Sequence, residues 1–211
     1  MASSASSAPE AADDSRARKS RRPAPSDFHV AVFCALPLEA DAADAVFDEH
    51  WDDYQDSLPS KAAGDVNAYT FGVIGRHHVV LVHLSAMGKV HSAAAAAQCR
   101  SSFPNIELAL IVGVCGVTPY TPEKEEIVLG DVIISDGVVQ YDLGRQLPTR
   151  FVRKDTIHDV LGRPNVQIRS LLAKLRVLRV REDLDNKAAY YLELLQEQSR
   201  LLAQYPGVEH D

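Results

Sequence analysis

With 211 residues, 46% of them hydrophobic and 24% charged, the chain has the size and composition of one globular domain with tails. A formal net charge of -7 argues against nucleic-acid binding by the folded part, which would need a basic face. No apolar run approaches the ~20 residues that cross a bilayer, and the N-terminus lacks the apolar core of a signal peptide.

Residues 1–27 are rich in Ala, Ser, Pro and charge without periodicity, which predicts a disordered tail. Within it lies the basic run Arg16–Arg22. It reads as a nuclear-import tag or as a solvated patch, and the nearby Glu10, Asp13 and Asp14 favour the patch. The folded part is predicted to span 28–211. His29–Leu36 is a short apolar run that predicts a buried strand. Pro37 suits the first turn of a helix, and the helix is predicted to run to His50, with Glu39 and Asp41 favoured near its start by the dipole. A polar loop, Trp51–Asp65, follows. Asn67–Ile74 and His77–Leu84 flank Gly75-Arg76 and predict a hairpin. After the turn Ser85-Ala-Met-Gly88, the alanine-rich run Lys89–Phe103 predicts a helix. Glu107–Val117 predicts a buried strand ending in Gly113 and Gly116. Thr118–Glu126 is a loop, and Gly130–Gly144 predicts a further strand containing Ser135-Asp136. From Pro164 onward, apolar residues at helical spacing predict two amphipathic helices; Leu171, Leu172, Leu175 and Leu178 share one face. Strands and helices mixed, then helices alone, imply an α/β layer architecture whose final strands are absent.

The three cysteines, Cys34, Cys99 and Cys115, are odd in number and widely spaced. No CxxC, Cys/His pair or HExxH motif occurs, so no metal is expected. Two of the three sit in apolar surroundings, where free cysteine behaves as a small hydrophobe. A reduced, intracellular, cytoplasmic protein is expected. "GVCGV" is one residue short of a Rossmann fingerprint, and no P-loop occurs. A dinucleotide-binding domain is therefore disfavoured.

Three predicted strands end in small residues: at Ala35, at Ser85–Gly88 and at Gly113–Gly116. In open α/β sheets ligands lie outside the carboxyl ends of strands, and small residues let a ligand approach the backbone. Backbone N–H groups at the start of the Lys89 helix lack partners and favour anions and hydroxyls. Glu39 falls just past the first strand on the same edge. It reads as a carboxylate that orients or deprotonates a water, or as a first-turn helix acid and nothing more.

"HVAVFCALPLEAD", "VHLSAMGKVHSAAAA", "LIVGVCGV", "GDVIISDGVVQYDLG" and "RFVRKDTIHDVLGRPN" occur in that order. Together they resemble the nucleoside phosphorylase superfamily, which holds purine and uridine phosphorylases and methylthioadenosine/adenosylhomocysteine nucleosidase. More narrowly they resemble its fungal branch, where the domain often precedes ankyrin repeats or an NTPase module. The likeness implies a mixed, barrel-like β-sheet flanked by helices. It implies cleavage of a purine or pyrimidine N-glycosidic bond, with water or phosphate attacking the anomeric carbon. Phosphate is then the candidate co-substrate, and no other cofactor is implied. A nucleoside is the implied small-molecule partner, and a homo-oligomer the implied assembly.

Carried over, Glu39 matches the nucleosidase acid that binds the attacking water. Ser85, Met87 and Gly88 match the segment beside nucleophile and ribose. Gly113, Cys115 and Gly116 match the wall along the nucleoside. Ser135-Asp136 match an early pair that is mainly structural. Two departures stand out. No arginine follows the first strand to hold phosphate, which favours a nucleosidase-like nucleophile site. The ribose-binding Met-Glu segment and the late, base-protonating Asp have no match, and Glu193 in mid-helix is a poor stand-in. The domain is thus expected to be incomplete at its C-terminus, with doubtful activity. The alternative is a non-catalytic sensor or interaction module of a fungal multidomain protein.

Overall fold

The computed structural model describes residues 23–51, 58–121, 124, 126–138, 140–154 and 164–197. The basic run Arg16–Arg22 lies outside the described residues. The chain divides into two compact units, 1–115 with 194–211, and 116–193.

The first unit begins ahead of the expected boundary. Pro25–Asp27 form a 3-10 turn closed by Asp27 N–H donating to Ala24 O at 2.9 Å, and the Asn105 side-chain amide donates to Ser26 O at 2.8 Å. Then come β1 (Phe28–Cys34), α1 (Pro37–Asp44), β2 (Glu49–His50), β3 (Ala68–Ile74), β4 (His77–His83), α2 (Lys89–Ser102) and β5 (Leu108–Ile111). The five strands form one mixed sheet in the order β2-β3-β4-β1-β5. β1 lies parallel to β4 on one side and to β5 on the other; the β3–β4 hairpin and the β2–β3 pair are antiparallel. The class is the expected mixed α/β, but the sheet is open rather than closed into a barrel. Among the described residues β5 is an edge, with Leu110 and Ile111 exposed.

Both faces of the central strands are covered, which is why β1 and β4 read as continuous apolar runs. Alternate residues point to opposite faces. On one face Ala31 and Phe33 of β1 and Val80 and Val82 of β4 pack with Phe71 and with Ala95, Cys99 and Phe103. Phe103 lies at 5.4, 5.2 and 5.7 Å between ring centroids from Phe28, Tyr69 and Phe71, within the range of favourable edge-on packing. On the other face Val32, Cys34, Val79 and Leu81 pack under Ala40 of α1.

A polar network ties the loop before β3 to α2. Asp65 Oδ2 accepts from the Tyr69 hydroxyl at 2.7 Å and from the buried Ser102 hydroxyl, and Oδ1 accepts from Asn67 N–H at 2.9 Å. The Asn67 side-chain amide donates to Ala95 O, and Ala62 N–H donates to Ser102 Oγ, each at 2.9 Å. Burial works to raise the Asp65 carboxyl pKa. Hydrogen bonds from Ser102, Tyr69 and Asn67, with the Lys61 charge, outweigh it and hold the group below its ordinary value.

Two sequence expectations fail here for one reason, long-range pairing. The helix predicted to reach His50 stops at Asp44, and Glu49-His50 pair instead with Val73 and Gly72. Gly72 permits this: an added Cβ would collide with Glu49 O and stand 3.2 Å from the Phe47 ring. The strand predicted to reach Val117 stops at Ile111, where the chain leaves β1.

The second unit holds β6 (Gly144–Gln146) and β7 (Phe151–Arg153), paired antiparallel, then α3 (Val166–Leu175) and most of α4 (Leu178–Gln196). The two helices match the expected C-terminal pair. Asn165 caps α3 by accepting from Ile168 N–H at 2.9 Å. The strand predicted over Gly130–Gly144 is absent: its described residues are irregular up to Leu143, and Val132, Ile133 and Ile134 are exposed. A strand needs a neighbour for its backbone groups, and among the described residues of its unit none pairs with this segment as a strand. Asp136, in the early Ser-Asp pair, accepts from Arg176 at 2.9 Å. None of the described residues of 116–193 is buried.

Candidate active site

The parallel register sets the site's frame. Cys34 ends β1 beside His83, which ends β4, and Phe33 lies beside Ile111, which ends β5. Leu84 N–H donates to Cys34 O at 3.0 Å, and Val112 N–H to Phe33 O at 3.1 Å. The segments after β1, β4 and β5 therefore leave the same sheet edge. The chain passes from β4 through α2 to β5, on opposite sides of β1. In open α/β sheets such a reversal of strand order marks the carboxyl edge at which ligands bind.

Glu39 lies at this edge as the third residue of α1 and reaches back to the turn before it. Its Oε2 accepts from Leu36 N–H at 2.9 Å and from Ala35 N–H at 3.0 Å. This is the carboxylate half of a capping box. The other half is missing, since Leu36 has no side-chain acceptor. Its Oε1 accepts from Val114 N–H, just after β5, at 3.0 Å. Donation by Leu36, then by Val114 and Ala35, outweighs desolvation and holds the carboxyl below its ordinary value. The group is a persistent anion, suited to orienting a water rather than to taking a proton outright. A carboxylate offers about four lone-pair positions; the three N–H donors leave one on Oε1.

Gly113 fits against this carboxylate. A Cβ there would stand 2.5 Å from Oε1 and 2.9 Å from Cδ of Glu39. The sequence-selected Glu39 and Gly113 are thus in direct apposition. Ser85 and Met87 are exposed in the turn after β4, and Gly88 has φ 107°, a conformation that favours glycine, where it precedes α2. Gly88 O accepts from the Ser92 N–H and hydroxyl, each at 3.1 Å. Cys115 is an exposed free thiol. Gly116 opens the second unit, with open space where a Cβ would stand.

Two features went unread in the sequence, the Val114 N–H and the His83–Thr70 pair, and a third, Cys34, was expected only as one of the cysteines in apolar surroundings. Val114 matters through its backbone N–H, which no side-chain pattern signals. Cys34 is buried, and its thiol is pushed up to about 11, by burial first and by the Glu39 charge second. His83 Nε2 and Thr70 Oγ1 form a hydrogen-bonded pair at 2.9 Å at the end of β4. Only the β3–β4 pairing brings these two together. Among the described residues no three His, Cys, Asp or Glu side chains gather as a metal site, and no helix is long and apolar enough to cross a membrane.

Residues 29–175 match the family model of the Phosphorylase superfamily, from the second residue of β1 to the last residue of α3. The chain belongs to this superfamily. It is also similar to a nucleotide-binding leucine-rich repeat (NLR)-like protein of Hyaloscypha variabilis, 34% identical over 167 residues. That match covers 75% of this chain but spans only 16% of the relative's length. No solved structure matches the chain significantly.

Proposed function

We propose that this superfamily member binds a nucleoside at the carboxyl edge of β4, β1 and β5 and acts there on its N-glycosidic bond. The observation that carries the reading is Glu39, a carboxylate held as an anion in the crevice position of an open α/β sheet. In such a cleavage the nucleophile's oxygen bonds to the anomeric carbon as the C–N bond breaks. The bonding pair leaves with the base, which takes up a proton, while the ribosyl group passes through oxocarbenium character. Glu39 would hold the nucleophile, and the Ser85–Gly88 turn and the Gly113–Cys115 segment would border the sugar. Holding the ribose hydroxyls and protonating the base need two further groups that no motif in this sequence matches. Binding is therefore the first property to measure.

The second reading is a sensor or interaction module. It is favoured by the similarity to an NLR-like protein many times longer than the matched region. The experiment is calorimetric titration with adenosine, methylthioadenosine, inosine and uridine, with base release followed in parallel. Saturable binding of at least one nucleoside is expected, with any base release reduced ~10²-fold by Glu39→Gln through loss of water positioning. Binding without release would support the sensor reading, and failure of all four to bind would overturn the nucleoside-cleaving reading and leave the interaction module.

A further inference from the structure

We infer that the second unit carries a docking groove for an amphipathic helix with a basic polar face, supplied by another protein. The groove lies within residues 121–188 and has a volume of about 800 Å³. One wall is the irregular segment 126–136, through Val132, Ile133 and Ile134. The other is the apolar face that the sequence places on α3 and the start of α4, through Leu172, Leu175 and Leu178. None of these six is buried, and a contiguous apolar surface left open to water marks an interaction site. Its openness selects the kind of occupant. Val132 is 78% and Leu178 63% exposed, whereas a small-molecule pocket encloses most of its ligand. A helix instead lays one apolar stripe into an open groove and keeps its other face in water. Leu172 and Leu175, three residues apart on α3, form the kind of ridge that packs against such a helix. Charge selects the partner's sign. Glu126, Asp131, Asp136, Glu182 and Asp185 line the groove against Arg176 and Arg181. Arg176 donates to Asp136 at 2.9 Å, and with that pair cancelled four carboxylates face one guanidinium. Such a rim repels an anionic lipid surface or a nucleic acid and attracts lysine and arginine beside an apolar stripe. No residue of the carboxyl-edge site lines the groove, so the inference stands apart from the nucleoside reading.

The test uses the full chain and three fluorescent peptides of about 18 residues, roughly five helical turns. The first sets leucine and lysine at amphipathic helical spacing. The second has glutamate in place of lysine, and the third scrambles the first so that no apolar stripe forms. Binding is read by anisotropy and folding by the melting transition. Saturable binding of the first peptide is expected, with the other two at least ~tenfold weaker. Val132→Ser with Leu178→Ser should weaken the first peptide by roughly tenfold and leave the melting transition in place, since both side chains are exposed. Glu182→Lys with Asp185→Lys should weaken the first peptide and strengthen the second. Glu107→Lys reverses an exposed charge outside the groove and should leave both affinities as they were. No saturable binding overturns the inference, as does equal binding of the second or third peptide, or a loss from Glu107→Lys as large as that from the groove acids. Should the serine pair fail to fold, the charge-reversal pair is held to the same requirement of weaker binding. Sedimentation reads the other occupants. A dimer that the serine pair dissociates would put a second copy in the groove, and peptide binding that appears only after removal of residues 1–22 would put the chain's own basic run there; either overturns the inference.

Discussion

Replacing Asp65 with asparagine keeps the side chain's size and removes its charge, which isolates the contribution of the network between the β3 approach and α2. In the native arrangement two hydroxyls and one N–H donate to the carboxylate, from Tyr69, Ser102 and Asn67. Asparagine offers one acceptor oxygen. With that oxygen towards the hydroxyls, its amide faces the Asn67 N–H donor to donor; with the amide reversed, the hydroxyls must turn and accept. A hydrogen bond to a charged group contributes ~1.5–3 kcal/mol and a neutral one ~0.5–1.5 kcal/mol. Asp65 is only half-buried, so solvent screening reduces the sum. A loss of about 1–3 kcal/mol at pH 7 is expected. At ~2–4 °C per kcal/mol for a chain of this length, the melting temperature should fall by roughly 2–12 °C.

The pH dependence carries the sharper test. The folded pKa of Asp65 lies below its ordinary value of 3.8. Its stabilisation is therefore fully present above that ordinary value and fades as pH falls through the lower folded pKa. The gap between the native chain and Asp65→Asn should be widest near neutrality and should narrow below about pH 4. Urea unfolding at a series of pH values reads it directly. A gap that stays constant into strong acid, or a melting temperature unchanged at pH 7, would refute the account of a charged, hydrogen-bonded Asp65.

Two further outcomes can be checked on the same protein. Gly72→Ala forces a Cβ onto the Glu49 carbonyl and the Phe47 ring; a loss of about 1–3 kcal/mol, typical of overpacking, should appear in urea melts, and an unchanged midpoint would show that β2 is not held against β3 as described. A thiol reagent at pH 8 should label the exposed Cys115 in the folded chain while the buried Cys34 and Cys99, each pushed up to about 11, react only on unfolding; equal labelling of all three in the folded state would contradict the two-faced core.

Much of the sheet was legible because its central strands carry their own signature. Val79–Val82 and Ala31–Cys34 are continuous apolar runs, and only burial on both faces makes such a run tolerable. The β3–β4 hairpin was readable for a local reason: Gly75, with φ 62°, takes the turn conformation that other residues resist. Glu39 was also visible, three residues past a strand end behind Pro37, since a capping carboxylate acts within one helical turn. None of these signals reaches across the chain. That β1 lies between β4 and β5 was decided only by tertiary pairing, and this order is what brings Val114 to Glu39 over a separation of 75 residues. Glu49-His50 gave up a plausible helix because β3 offered hydrogen-bonding partners and Gly72 offered room. Val132–Ile134 have the composition of a strand yet form none in their unit, because β-propensity describes fit to a neighbouring strand and not a preference the backbone holds alone. Local sequence thus determined which segments could be strand, helix or cap, and the tertiary structure determined which backbone groups met, since hydrogen bonds between distant segments depend on packing that no short stretch encodes.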